Sequence, residues 1–407
     1  MPGQEIYSYS ADSLSLSFTG GELKIKEHQS LCGHAVRALE DGRLGFAYCQ
    51  DKGHIPKALE EAARMARFSV KTPFSFAPGA SFQASGLHDP ALDPSDFSIL
   101  KGYVEIAKAS ASSFGGTPRV ISSMDSLDVS LENSEGFSGA YRKTAFSMYI
   151  ECMHADGFGF SYLSSLHRPD YISEAGLKAA DMARSMQGAG KPDSGSYTLV
   201  VELSALDSLL DALMPSFSGD WKRRDITRLS QGKKMFSESL TIAEDGLAPA
   251  INARPFDDEG TPSTRHVLVD NGVVSSFLYD RETAALEGVH EGGACSRPAY
   301  NIAPSVSSSN LVISPGNHKD LSDIGRHIEL HSAHGSHTAN LTTGDIGLDA
   351  SVAFLVDKGE RKPVKGFMVT GNVFDMFADI EAIEAHQRTY GPLIAPRIAF
   401  RGVRIVS

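Results

Sequence analysis

Three consecutive acids stand at Asp257-Asp258-Glu259, flanked by Arg254 and Arg265 and by Pro255 and Pro262. Adjacent carboxylates repel one another, so a folded chain must hold them with cations, backbone N–H groups or a metal. The same run also reads as a solvated turn whose Gly and Pro set its shape. Three imidazoles follow at His331, His334 and His337, a set able to bind zinc or another divalent metal. Their spacing argues against that use. On a strand, a step of three puts His331 and His334 on opposite faces, and Gly335 interrupts a helix, so exposed loop histidines are the simpler expectation. Cys295 lies in a small-residue loop beside Arg297, a charge that can lower a thiol pKa, but no general base stands out as its partner. There is no G-x-S-x-G elbow and no H-E-x-x-H helix, and the run Ser305–Ser309 reads as a polar loop.

The chain that carries these groups has 407 residues, enough for two or three domains, with 41% apolar and 22% charged residues. No apolar run approaches the ~20 residues that span a bilayer, and the N-terminus shows neither the basic nor the apolar part of a secretory signal. Cys32, Cys49, Cys152 and Cys295 are scattered, which suits free thiols in a reducing cytosol. A net charge of −12 makes nucleic acid an unexpected partner, with Lys222-Arg223-Arg224 the one basic run that stands against it.

Periodicity gives the positioning elements. Residues 1–72 read as two hairpins, one turning at Gly20-Gly21 and one at Asp41-Gly42, then a helix from Ile55 to Phe68. Residues 72–95 read as a linker, followed by a helix near Asp96–Ser113 with Ile99, Tyr103 and Ile106 on one face. A second antiparallel sheet is expected around Asn133–Gly136 and Asp156-Gly157, then a helix over Tyr171–Met186. The stretch Gly188–Gly195 is the clearest boundary. Beyond it come a strand at Tyr197–Leu203, a helix with a Ser204–Asp207 capping box, and a hairpin at Asn271-Gly272. A short helix at Ser322–Glu329, a hairpin around Asp357–Gly359, a helix over Val373–Ala385 and a final strand at Ile398–Ile405 follow. The expected class is α+β: hairpin-rich antiparallel or mixed sheets with flanking helices, in an N-terminal α/β lobe and a larger, mainly β C-terminal lobe. The expected domains are 1–72, 73–190 and 191–407.

Several blocks, taken in order, resemble the TldD/PmbA family, also described as modulators of DNA gyrase. They are Gly33-His-Ala-Val-Arg37, Asp41-Gly-Arg-Leu-Gly-Phe46, Glu132-Asn-Ser-Glu-Gly136, Gly219-Asp220-Trp-Lys-Arg-Arg224 and Asp257-Asp-Glu-Gly-Thr-Pro262. Asp270-Asn-Gly-Val, Thr343-Gly344-Asp345, Pro363-Val-Lys-Gly366 and Thr370-Gly-Asn372 complete the set. The resemblance implies one of two subunit types: a zinc protease (TldD), or a partner (PmbA, also called TldE).

In the protease type, a helical H-E-x-x-x-H supplies two zinc ligands and a general base on the metal-bound water. The matching positions here are Leu210, Asp211 and Pro215, and no Cys follows Cys295 to provide the further ligand. The resemblance therefore implies a PmbA/TldE-type subunit with no catalytic residues and no metal of its own, zinc being expected only in a TldD-type partner. It also implies unfolded peptide as the substrate of the assembly, a TldD-like protease subunit or a second copy as partner, no nucleic acid or membrane, and a cytoplasmic setting. Asp257, Asp258, Glu259, Arg297, Thr343, Gly344 and Asp345 are candidates for a peptide cleft or interface, the acids neutralised by Arg254, Arg265 or Arg297. Two alternatives stand beside this one: a self-sufficient hydrolase whose metal is held by His331, His334 or His337 with Asp257 or Asp258, and a non-enzymatic peptide-binding homo-oligomer.

Overall fold

The computed structural model describes residues 3–82, 86–290, 292–321 and 323–407. Long alternating runs at the N-terminus form β1 (Gly3–Thr19), β2 (Glu22–Glu40) and β3 (Arg43–Cys49), and α1 (Ile55–Ala66) follows. The two expected hairpins share a strand: residues 22–40 are one continuous β2, because nothing between Glu27 and Leu31 breaks an exposed, polar strand. After the irregular stretch come α2 (Phe97–Ala111), β4 (Thr117–Asn133), β5 (Ser138–His154), β6 (Gly157–Ser165) and α3 (Ile172–Ser185). The six strands make a single antiparallel sheet in the order β3-β2-β1-β4-β5-β6. The expected separate second sheet is thus continuous with the first, since β1 pairs with β4 from Glu5 to Thr19, and the boundary at residue 72 crosses a shared sheet.

Helices cover one face of this sheet. Leu100, Val104, Ala107 and Ala111 of α2 meet Leu14, Leu16, Val120, Phe146 and Ile150, while Ile106, expected inward, is exposed. That face is set by the apolar positions four, seven and eleven residues on from Leu100, beside the expected stripe, whose Ile99 and Tyr103 are half-buried against the same core. Two helices approach so closely that the strand beneath must carry glycine. A Cβ on Gly45 of β3 would lie 1.9 Å from the Ala62 carbonyl, and one on Gly159 of β6 would lie 2.2 Å from that of Ala179.

The C-terminal lobe begins with β7 (Gly195–Val201), α4 (Leu203–Leu213) and the short α5 (Gly219–Arg223). Strands β8 (Ile242–Asp245), β9 (Arg265–Asp270) and β10 (Val273–Val274), α6 (Arg281–Glu287) and the pair β11 (Cys295–Ser296) and β12 (Ser305–Val306) follow. Next come β13 (Leu311–Ile313), β14 (His327–His334), β15 (Asp345–Asp357), β16 (Glu360–Val364) and β17 (Phe367–Asn372). The chain closes with α7 (Val373–Ala378), β18 (Ile380–Ile383), β19 (Arg388–Tyr390), β20 (Leu393–Ala395) and β21 (Ile398–Val406). A sheet ordered β10-β9-β8-β13-β20-β19 and a mixed sheet built on β14, β7, β21, β17, β15 and β16 share one core, and α4 is buried in it.

Three local expectations fail here. Glu202, not Ser204, is the N-cap of α4, and no side chain caps it. Residue 322 lies outside the described residues, and residues 327–329 of the helix expected with it form the start of β14. The helix expected to Ala385 stops at Ala378, because Ile380–Ile383 pairs with β21. Gly159→Ala is expected to lose about 1–3 kcal/mol as α3 is forced off β6. A urea midpoint that falls with an unchanged slope checks it.

Candidate functional site

The acidic triplet is a turn, but a buried one. The Asp257 amide donates to the Thr261 carbonyl at 2.9 Å and the Gly260 amide to the Asp257 carbonyl at 3.0 Å, with Gly260 at φ +82°. A Cβ at Gly260 would press on the Phe137 ring, so glycine serves both the backbone and the contact. Phe256 inserts among Phe82, Phe137 and Tyr141 of the first lobe, with ring centroids 4.8 to 5.3 Å apart. The stretch that begins the hairpin of the second lobe is therefore seated on the sheet of the first.

Ion pairs complete that seat. Arg37 of β2 forks onto Glu5 of β1, Nε to Oε1 at 2.7 Å and Nη2 to Oε2 at 2.8 Å, and its Nη1 reaches Glu259 Oε1 at 2.6 Å. Glu259 Oε2 accepts the Arg281 amide at 2.7 Å. Arg297 donates its amide to Asp258 Oδ2 at 2.6 Å and Nη2 to Glu5 Oε1 at 3.0 Å, and its guanidinium lies 4.6 Å over the Tyr7 ring. All of these charges are buried. Burial alone would raise the Glu259 carboxyl, but Arg37 and the Arg281 amide hold it below its usual range.

Of the cations expected for the triplet, Arg297 takes its place, Arg265 is exposed, and Arg254 comes near without an ion pair. Arg37 supplies what Arg265 does not. Its signal in the sequence was a lone arginine inside the apolar run Ala35-Val36-Arg37-Ala38-Leu39.

Asp257 behaves differently from its neighbours. Its Oδ1 accepts the Glu259 and Thr261 amides at 3.0 and 2.8 Å, while Oδ2 has no partner. Burial, then the Glu259 charge, push its carboxyl up to about 8. Cys295 is adjacent and fully buried; burial and then Glu259 and Asp257 raise its thiol well above the usual value, the opposite of the activation expected from Arg297. Oxygen and sulfur atoms of Asp257, Glu259 and Cys295 lie within 4.8 Å of one another, the one such trio among the described residues. Glu259 is already held by Arg37, and Arg297 stands alongside, an electropositive surround for any cation.

The three histidines are not brought together as ligands among the described residues. His331 stands edge-on to Phe354 and bonds Arg361, while His334 and His337 are exposed about the turn at Gly335. Neither Asp257 nor Asp258 joins them. Thr343, Gly344 and Asp345 form a separate knot: Thr343 Oγ1 and Asn372 Nδ2 bond Asp345 at 2.7 and 3.0 Å, and Gly344 packs under Phe374. It shares no bond with the triplet. The Lys222–Arg224 run is neutralised by Glu287 and Asp220.

Three cavities run in a chain, and Asp258 of the triplet lines the middle one. An open groove of about 750 Å³ crosses the first sheet at residues 8–10, 32, 34, 128–130 and 140–142. It shares Tyr9, Val129 and Tyr141 with a cavity of about 270 Å³ walled by Lys143, Arg254, Asp258 and Arg297. Ser307 and Ser308 of that wall also line a cavity of about 250 Å³ bounded by Asp211, Pro215 and Ser218.

This third cavity sits at the end of α4, where Leu210 is buried in the core and Pro215 lies in a single 3-10 turn. Residues 194–407 match the family model of the PmbA/TldA metallopeptidase C-terminal domain, and residues 5–68 match that of its domain 1. The chain belongs to the PmbA/TldD family. A Methanocaldococcus jannaschii protein of uncharacterized function is 30% identical over 91% of the chain and 88% of its own length. A Methanothermobacter thermautotrophicus protein named a metalloprotease is 26% identical over 91% and 85%. Two crystal structures share the fold at 21% identity over all of this chain. One is a candidate modulator of a DNA gyrase from Thermotoga maritima, with a TM-score of 0.92 and 96% of that chain covered. The other is TldE from Thermococcus kodakarensis, at 0.91 and 97%.

In this PmbA/TldD chain the positions implied for zinc do not fit the ion. Leu210 and Pro215 offer no ligand atom, and Asp211 is turned to Ser336 Oγ at 3.4 Å. No helix among the described residues is long and apolar enough to cross a membrane.

The raised Asp257 pKa gives a signed prediction. An unfolded Asp titrates near ~3.9, so the folded chain keeps a proton that the unfolded chain has lost. The stability this contributes is full below about pH 4 and is lost as pH rises through about 8. Asp257→Asn fixes the neutral form, so its stability relative to the native protein is expected to rise across that window. Denaturant unfolding at a series of pH values measures it, and a flat difference contradicts the assignment.

Proposed function

We propose that this chain is a non-catalytic, PmbA/TldE-type subunit that holds extended peptides for a zinc-bearing relative of the same family. One observation carries the reading. The helix that bears the metal motif in the protease type here ends in Leu210, Asp211 and Pro215, with Leu210 in the core, yet a cavity persists at that end. A peptide-handling space without its catalytic group is what a partner subunit of a peptidase would keep. Relatives named metalloprotease place peptide hydrolysis in the family, and the groove across the first sheet gives an extended segment somewhere to lie.

The partner is a TldD-type chain or a second copy, and the setting is the cytoplasm, consistent with four unpaired cysteines. Nucleic acid is not a partner in this reading. The chain carries a net charge of −12, and its one basic run is neutralised by its own acids.

Purified alone, the protein is expected to hold no stoichiometric zinc by elemental analysis and to leave flexible peptides uncut. Co-expressed with a zinc-bearing relative, it should copurify and peptide cleavage should appear. Chelator-sensitive cleavage by the chain alone contradicts the reading.

A further inference from the structure

The middle cavity contains an arrangement that a structural role leaves unexplained. Lys143 of β5 is about nine-tenths buried on its wall, and among the described residues no acid pairs with it. Arg254, buried to a similar degree on the same wall, leaves its Nε and Nη2 without hydrogen-bond partners. Tyr7, Tyr9 and Tyr141 also line the space, and none of their hydroxyls bonds another described residue. The Arg254 nitrogens are buried without acceptors, which is costly, and the cost is removed when an anion in the cavity supplies them; the Lys143 ammonium and the tyrosine hydroxyls are further donors open to the same space. The triplet's own network does not supply these acceptors: the Arg297 charge is paired with Glu5 through Nη2, and its Nε and Nη1, like the Arg254 nitrogens, have no acceptor.

The charge on the walls selects among anions. With Arg297 occupied, Lys143 and Arg254 face a single wall carboxylate, Asp258. The excess of about one positive charge suits a monoanion and disfavours a phosphate dianion beside Asp258. A carboxylate also matches the donors in kind: a guanidinium edge, an ammonium and phenolic hydroxyls. The way in is the open groove, which shares Tyr9, Val129 and Tyr141 with this cavity.

We propose that the cavity walled by Lys143, Arg254 and Tyr141 binds a carboxylate carried by an extended peptide, an acidic side chain or the C-terminus, while the peptide lies in the adjoining groove. The proposal rests on the reading that this chain holds peptides, and it adds a preference that the reading alone does not contain. Burial, then Arg254, hold the Lys143 ammonium down to about 8, so it is still mainly protonated near neutral pH and a bound carboxylate would raise it.

The test is binding by the whole chain, read by fluorescence anisotropy. The probes are a short flexible peptide with one glutamate and an amidated C-terminus, its glutamine counterpart, and the glutamine peptide with a free C-terminus. At least one carboxylate-bearing peptide is expected to bind about tenfold or more tightly than the neutral one, the ratio that 1.4 kcal/mol of charge-assisted bonding gives. Lys143→Met is expected to erase that preference, and Tyr141→Phe to weaken it severalfold. Removing an unpaired buried charge should leave Lys143→Met folded, which its unfolding midpoint checks. If that variant does not fold, the preference of the native protein decides by itself.

Equal Kd values for acidic and neutral peptides overturn the proposal and leave peptide holding intact. If no peptide binds, the peptide reading itself fails and the proposal falls with it. Glutarate and inorganic phosphate, tested by the shift of the unfolding midpoint, then tell whether the cavity takes a free small anion instead. Stronger stabilisation by phosphate than by glutarate overturns the choice of carboxylate.

Discussion

A buried pairing of charges joins the two lobes, and most of the site is arranged around it. Glu5 and Arg37 come from adjacent strands of the first sheet, Glu259 and Asp258 from a turn more than two hundred residues later, and Arg297 from the strand pair beyond. Each charge would be expensive to bury alone. Together they are tolerable because the fork of Arg37 satisfies Glu5 at both oxygens while its remaining nitrogen holds Glu259. The pairing specifies how the lobes sit. Phe256 adds the apolar part of the same contact by entering the aromatic cluster beneath it.

This arrangement separates two roles that adjacent carboxylates suggest. Asp258 and Glu259 are engaged by arginines and amides, and Asp257, packed between them and Cys295, is held neutral by burial. Uncommitted donors line the adjoining cavity, where Lys143, Arg254 and the tyrosines meet Asp258. The seat formed by the acids thus fixes the walls of a space that runs from the groove on the first sheet to the end of α4. At that end Leu210 belongs to the core and Pro215 lies in the turn that closes the helix.

Much of this was legible in the sequence. Alternation and Asp-Gly or Asn-Gly turns placed most of the hairpins, and the ordered family blocks implied the fold seen here. The failures share a physical cause: they depend on contacts between segments far apart in the chain. The single strand β2 exists because β1 pairs with it along nearly its whole length, whereas its middle carries no apolar alternation of its own. Ile380–Ile383 leaves helical structure because β21 offers a pairing edge.

The same limit applied at the site. The acids advertised a need for cations, and nearby Arg254 and Arg265 looked suited, but the partner that closes the network is Arg37, which only the docking of the lobes brings close. Lys143 was silent for the same reason. On β5 it shares a face with Tyr141, two residues away, and Asn252, Arg254 and Asp258 of the second lobe line the cavity over that face.

The claim that the triplet is a structural joint between the lobes is tested most directly by a double-mutant cycle on Arg37 and Glu259. Stability is measured by denaturant unfolding for the native protein, Arg37→Met, Glu259→Gln and the double variant. The account predicts that each single change costs about 3–5 kcal/mol, because it strands a buried charge. The double change should cost less than the sum of the two by about 2 kcal/mol, within the range seen for coupled neighbours. Costs that simply add, to within about 0.5 kcal/mol, would show that the two residues do not act on each other and would contradict the account.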